Sequence, residues 1–203
     1  MIKSKNELEQ KISKAIPALK EFWDLLLKWQ KSVNLISPKT IENGWDRHIL
    51  DSAQLYFLIE NSAKKMMDVG SGGGFPGMVI AILNQALKGP LKEIILVESD
   101  LKKSLFLQEA TRLLKVNVVV KRDRIENLKS KPDVITARAF APLSELLTLV
   151  KQNVSRETIL ILPKGKSVDD EIQSNHYRCE IEKLENIINP EGTILKIKEV
   201  DYE

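Results

Sequence analysis

Residues that support disulfide, thiol and metal chemistry are scarce in this sequence. Of 203 residues, one is cysteine and two are histidine. A lone Cys179 excludes an internal disulfide and any zinc site built from several cysteines. His48 and His176 lie far apart, and no metal is expected. Long apolar runs are missing too. The run at 79–83, Val-Ile-Ala-Ile-Leu, is far short of the roughly 20 residues that span a bilayer. The first ten residues are rich in Lys and Glu and lack the apolar core of a signal peptide. A cytoplasmic protein, off the membrane, is therefore expected. Charge of one sign is not in large excess, with 31 Lys+Arg against 28 Asp+Glu and a net charge of +3. With 43% hydrophobic and 29% charged residues, the chain has a core to bury and is not a disordered segment. Its length fits one domain, or one domain with a small attachment.

The small net charge hides an asymmetry. Residues 102–131 carry nine Lys/Arg against three acids, whereas residues 169–203 carry four against ten. A basic surface attracts phosphates by counterion release. A charge run alone is more often a solvated helix face, so this asymmetry does not name a partner.

Apolar residues recur at three-to-four spacing over 17–33 (Leu19, Phe22, Trp23, Leu26, Leu27) and again from Trp45 to Phe57, with Ser37-Pro38 between. This predicts a helical N-terminal extension over residues 1–60. Trp23, Trp29 and Trp45 are expected to pack it against the sheet of the main domain. From residue 61 the pattern alternates. Strands are predicted at 66–69, 94–97, 116–120, 134–136 and 158–162, with helices at 78–87, 101–114 and 143–150. That alternation implies an α/β fold with a mostly parallel sheet. The tail reads as two strands, 179–188 and 192–200, joined by the turn sequence Asn189-Pro190-Glu191-Gly192. Such a terminal antiparallel hairpin resembles that of class I methyltransferases, and the resemblance implies the strand order 3-2-1-4-5-7-6 in one unit over 61–203.

The sharpest feature is Asp68-Val69-Gly70-Ser71-Gly72-Gly73-Gly74-Phe75-Pro76-Gly77, with five glycines in eight positions. Glycines between a strand and a helix permit a tight turn and a close ligand approach. Gly72, Gly74 and Gly77 spell G-x-G-x-x-G, which suggests a nicotinamide dinucleotide site. Counted from Gly70, however, Phe75 takes the third glycine position. Asp-x-Gly-x-Gly then resembles the loop that holds S-adenosylmethionine. Glu98, 28 residues past Gly70 at a strand end, can accept ribose hydroxyls. Asp100, before Leu101, reads as a helix N-cap.

Short strings then converge: Asn34-Leu35-Ile36, Arg47-His48-Ile49-Leu50-Asp51-Ser52, the glycine loop, Arg138-Ala139-Phe140-Ala141-Pro142, and Leu162-Pro163-Lys164-Gly165-Lys166. Together they closely resemble the ribosomal RNA small subunit methyltransferase G family, also called glucose-inhibited division protein B. One departure is Gly73, where many members carry proline. The resemblance implies methyl transfer from S-adenosylmethionine to N7 of a guanine in the 530 loop of 16S ribosomal RNA. It implies cofactor contacts at Gly70, Phe75, Ile125, Glu126 and Arg138, with Asp68, Gly72 and Gly74 completing the loop. Arg138 could hold the methionine carboxylate or a substrate phosphate.

Guanine N7 has a free lone pair, so its methylation needs no general base. No catalytic acid or base is assigned, and Arg138 and Phe140 are positioning candidates. Phe140 offers a ring on which a splayed base can stack. Arg122, Arg124, Lys164, Lys166 and His48 are candidate RNA contacts, although a lone helical histidine is more often structural. Cys179 reads as a small buried residue. The partner expected is 16S ribosomal RNA or the small subunit, and the protein is expected to be a monomer. Two alternatives stay open: a nicotinamide-dependent oxidoreductase, and an RNA-binding assembly module without turnover.

Overall fold

The computed structural model describes residues 2–202. Seven strands form one sheet: β1 (Lys65–Val69), β2 (Glu93–Val97), β3 (Val119–Lys121), β4 (Val134–Thr136), β5 (Ile159–Lys164), β6 (Arg178–Glu185) and β7 (Thr193–Asp201). Their order is β3-β2-β1-β4-β5-β7-β6, with β7 antiparallel to both neighbours and every other pair parallel. The chain moves outward from β1 to β3, then crosses back to β4. Ligands in open α/β sheets bind beside such a reversal, at the carboxyl ends of the strands.

Period-two alternation sorts the strand side chains onto two faces. Met66, Ile94, Leu96 and Val134 join one apolar cluster, and Met67, Ile95, Val97 and Ile135 the other. The first face carries α4 (Gly77–Ala86) and α5 (Leu101–Leu114), and the second carries α6 (Leu143–Val150). The N-terminal helices α1 (Lys5–Lys11), α2 (Ile16–Gln30) and α3 (Asp51–Tyr56) share the cluster of the first face. Phe22 of α2 meets Phe75 edge-on at 5.6 Å and lies 6.1 Å from Phe106 of α5. Trp29 meets Phe106 at 5.8 Å. Truncating a buried ring such as Phe22 costs about 3–5 kcal/mol.

Four features depart from the sequence reading or add to it. Residues 116–118 are not strand, because Lys115 caps α5 in a left-handed conformation (φ 52°) and the Val118 amide turns back to the Val116 carbonyl. Only Val119–Lys121 pair with β2. Two short helices escape the periodicity argument. Ser4 caps α1 through the Glu7 amide, and α7 (Val168–Gln173) buries only Val168. Trp45–Leu50 form a stretch of π-helix leading into α3.

Candidate functional site

After β1 the chain turns through Gly70 (φ 68°), Gly72 (φ 54°) and Gly74 (φ 89°) before α4. A side chain in the left-handed region costs roughly 1–2 kcal/mol, which explains why glycine stands at these three positions. Gly70 needs the missing Cβ for a second reason: one would collide with the Phe140 ring. Two carboxylates hold the loop. Asp68 is fully buried and accepts from the Thr136 hydroxyl (2.7 Å) and the Gly77 amide (3.2 Å). Burial pushes its pKa up to about 6, against hydrogen bonds and the Arg138 charge, which favour the ionised form. Glu98, at the end of β2, accepts from the Gly72 and Asp100 amides, each at 2.8 Å. Asp100 in turn caps α5 through the Lys103 amide (2.9 Å), as expected.

A cavity of about 1250 Å³ opens over the carboxyl ends of β1, β2, β4 and β5. The structure brings Gly70, Gly72, Phe75, Glu98, Ile125, Glu126, Arg138 and Phe140 together on its wall, with Arg124, Lys164 and His48. Asp68, Gly74, Arg122 and Lys166 are not among its lining residues. Asp68 lies beneath the loop, and a Cβ on Gly74 would approach Phe22 and Met78. Both shape the turn from beneath it. Ile125 is buried in a single 3-10 turn, Ile125–Asn127, and Glu126 beside it is exposed.

Arg138, at the end of β4, is bound to the N-terminal extension. It donates to the Arg47 carbonyl (3.0 Å) and to His48 Nδ1 (2.7 Å), lies 4.9 Å over the Phe75 ring, and faces Asp51 at 3.6 Å. The His48 tautomer follows from its partners. The Thr40 hydroxyl donates its one proton to the Ser37 carbonyl (2.7 Å), so toward His48 Nε2 (2.8 Å) it can only accept. Nε2 therefore carries the hydrogen, and Nδ1 offers a lone pair to Arg138. Burial, then the charges of Arg138 and Arg47, hold the His48 pKa down to about 3. The ring also stacks on Phe75 at 5.1 Å. Both ring nitrogens are thus engaged within the chain, and a direct RNA contact by His48 is not what this geometry provides.

The basic candidates divide. Lys164 is nearly buried; its Nζ donates to Glu171 (2.7 Å) and to the Ala141 carbonyl (3.1 Å). Its charge is therefore already matched by a carboxylate within the chain. Lys166 pairs with Glu191 at 2.7 Å on the surface. Arg122 and Arg124 are exposed and make no salt bridge among the described residues. Cys179 is half-buried in β6 rather than fully buried. Among the described residues, no three His, Cys, Asp or Glu side chains are grouped to hold a metal ion, and no helix is long and apolar enough to cross a membrane.

Sequence reasoning missed a buried polar knot at the cavity's edge. Asp51 Oδ1 accepts from Gln54 (3.0 Å) and Asn186 (2.7 Å), and Gln54 donates to Asn186 Oδ1 (2.8 Å). Asn186 Oδ1 also accepts the Ile188 and Asn189 amides (3.0 and 2.7 Å), which docks the β6–β7 connection onto the extension. The one available signal was Asp51 directly after the apolar pair Ile49-Leu50 in a helical string.

Comparison with known proteins agrees with this architecture. A family model, GidB, described as rRNA small subunit methyltransferase G, matches residues 15–196. The ribosomal RNA small subunit methyltransferase G of Cereibacter sphaeroides is 41% identical over 183 residues, covering 89% of this chain and 88% of the relative. That of Orientia tsutsugamushi (strain Ikeda) is 39% identical over 181 residues, covering 88% of each. Among solved structures, a SAH-bound methyltransferase of Podospora anserina superposes with a TM-score of 0.61 at 15% identity, covering 91% of this chain and 88% of that one. A ribosomal protein L11 methylase from Lactobacillus delbrueckii subsp. bulgaricus gives 0.59 at 13% identity, covering 75% and 78%. At such identities these two structures support the fold alone.

Proposed function

This chain belongs to the rRNA small subunit methyltransferase G family, and from that membership we propose that it methylates N7 of a guanine in the 530 loop of 16S ribosomal RNA, using S-adenosylmethionine. The observation that carries the reading is the family match over residues 15–196 on a chain whose glycine loop opens onto a large cavity at the sheet's reversal point. The cavity suits the cofactor. Gly72 leaves its part of the wall open, Gly70 lets the Phe140 ring lie against the turn, and Glu98 adds a carboxylate acceptor. Gly70, Phe75, Glu98, Ile125 and Glu126 would hold the cofactor. When bound, it supplies an electrophilic sulfonium methyl.

The chain's own part is binding, alignment and exclusion of water. Guanine N7 arrives with its lone pair free, so no side chain has to take a proton first. The buried ionisable groups nearest the loop agree with that: Asp68 and His48 spend their hydrogen bonds on protein partners. Phe140 offers the exposed ring on which an unstacked base can rest. Arg122 and Arg124 would meet phosphates. Action as a cytoplasmic monomer without a metal completes the proposal. The nicotinamide reading is disfavoured at the motif's second glycine: Gly74, where a pyrophosphate would approach the backbone, packs against Phe22 and Met78.

The test is methyl transfer from labelled S-adenosylmethionine to 30S subunits from cells lacking this gene, with the product identified by mass spectrometry. The expected result is 7-methylguanosine at one 530-loop position. Cofactor binding without incorporation would overturn the substrate assignment.

A further inference from the structure

The segment between β4 and α6 carries Phe140, yet nothing in its own sequence holds it in place. Ala139 adopts a left-handed conformation (φ 50°), and Pro142 stands at the helix N-cap without a side chain to cap it. The Leu143 amide, at the first position of α6, would be one of the helix's orphan donors. It donates instead to Glu171 Oε2 at 2.9 Å, a carboxylate from α7, 28 residues away. The same oxygen accepts Lys164 Nζ at 2.7 Å, and that ammonium also donates to the Ala141 carbonyl at 3.1 Å. Lys164 and Glu171 thus bind the backbone at Ala141 and Leu143. At the other end, Arg138 is bound to Arg47 and His48. Phe140, between these two anchors, rests against Gly70.

We propose that Glu171 and Lys164 are positioning residues for methyl transfer, a clamp reaching from α7 and β5 that fixes the Phe140 loop over the glycine turn. The proposal rests on the function assigned above and adds a role that Lys164 would not have as a phosphate contact. The clamp acts through the backbone of its neighbours, and neither side chain touches the reacting atoms.

The two roles for Lys164 predict opposite outcomes for one substitution. Glu171→Met keeps the length of the side chain, removes the oxygen that both donors share, and releases Lys164 and the Leu143 amide. If the clamp positions the loop, the variant loses turnover by about 10-fold or more, since misplacing a reacting group by ~1 Å can cost about 100-fold. Affinity for S-adenosylmethionine and the salt dependence of RNA binding stay at wild-type levels. Lys164→Met behaves alike, and the double variant is no worse than either single one, as expected for groups acting as a unit. Hydrogen exchange at the amides of residues 138–145 speeds up in each variant, independently of activity. Tighter RNA binding with a steeper salt slope in Glu171→Met would overturn the proposal in favour of a phosphate contact. Lower thermal stability with unchanged kcat and unchanged exchange at 138–145 would overturn it in favour of a merely structural pair. A wild-type chain that fails to methylate 30S subunits defeats the functional reading, whereas unchanged exchange in the variants defeats the clamp.

Discussion

Arg138 Nη2 donates to His48 Nδ1 across 2.7 Å, joining the end of β4 to the N-terminal extension at the cavity wall. The bond requires a bare Nδ1, so the pair exists only while His48 is neutral. A proton on Nδ1 would set two donors and two positive charges face to face.

That requirement makes stability depend on pH. In the folded chain His48 titrates at about 3, below its ordinary 6.5. Between those values the unfolded chain binds a proton that the folded chain refuses. The stability present above pH 6.5 is therefore lost as pH falls toward 3, with a slope of at most about 1.4 kcal/mol per pH unit. His48→Gln should flatten this part of the curve. Chemical denaturation of both proteins between pH 4 and 7 checks it; parallel curves would show that His48 is not held neutral.

Asp68 has the opposite sign. Its folded pKa of about 6 lies above the ordinary 3.8. Its stabilising contribution is complete below pH 3.8 and is lost as pH rises through 6. Asp68→Asn should therefore cost most at low pH, with the gap to wild type narrowing between pH 3.8 and about 6 and level above that. The same denaturation series reads this out, and a gap that widens with pH would contradict the buried assignment.

Gly70 and Phe140 should be coupled. Gly70→Ala places a methyl against the Phe140 ring and adds left-handed strain, and Gly70→Arg should abolish cofactor binding outright. In a Phe140→Ala background the steric part disappears while the strain of about 1–2 kcal/mol remains. Calorimetry with S-adenosylmethionine should find a smaller affinity loss for Gly70→Ala in that background than in wild type. Equal losses would separate the ring from the loop.

Neutralising Arg122 or Arg124 should weaken RNA binding and lower its salt slope by about one each, as expected for a released phosphate contact. Lys164→Met should leave that slope alone, because the Lys164 charge is already matched by Glu171. Binding to a 530-loop fragment across a salt titration distinguishes them; a drop for Lys164 equal to that for Arg124 would refute the division.

Helices with long amphipathic stripes and strands with clean apolar cores were legible in the sequence. Leu101–Leu114, Leu143–Val150 and Val134–Thr136 fall where periodicity put them. The edge strand β3 and helix α7 were less legible for a shared reason: each buries little. Val119 is 42% exposed, and α7 buries one residue, so burial left little pattern in either. The pairing of Lys164 was hidden for a related reason. Its partner Glu171 lies in that unrecognised helix, and a lysine after a strand looks free until the helix is in place.

The sequence by itself determined the element types, the glycine turn and the family, because backbone conformation and apolar periodicity are local and leave their mark on neighbouring residues. Tertiary structure decided which charges are free and which are committed. His48 meets Arg138, Asp51 meets Asn186, and Leu143 meets Glu171 across separations of 90, 135 and 28 residues. Those partners are selected by strand order and helix placement at the carboxyl edge of the sheet. Only when that edge is assembled does burial make an unpaired charge costly enough to fix each pairing.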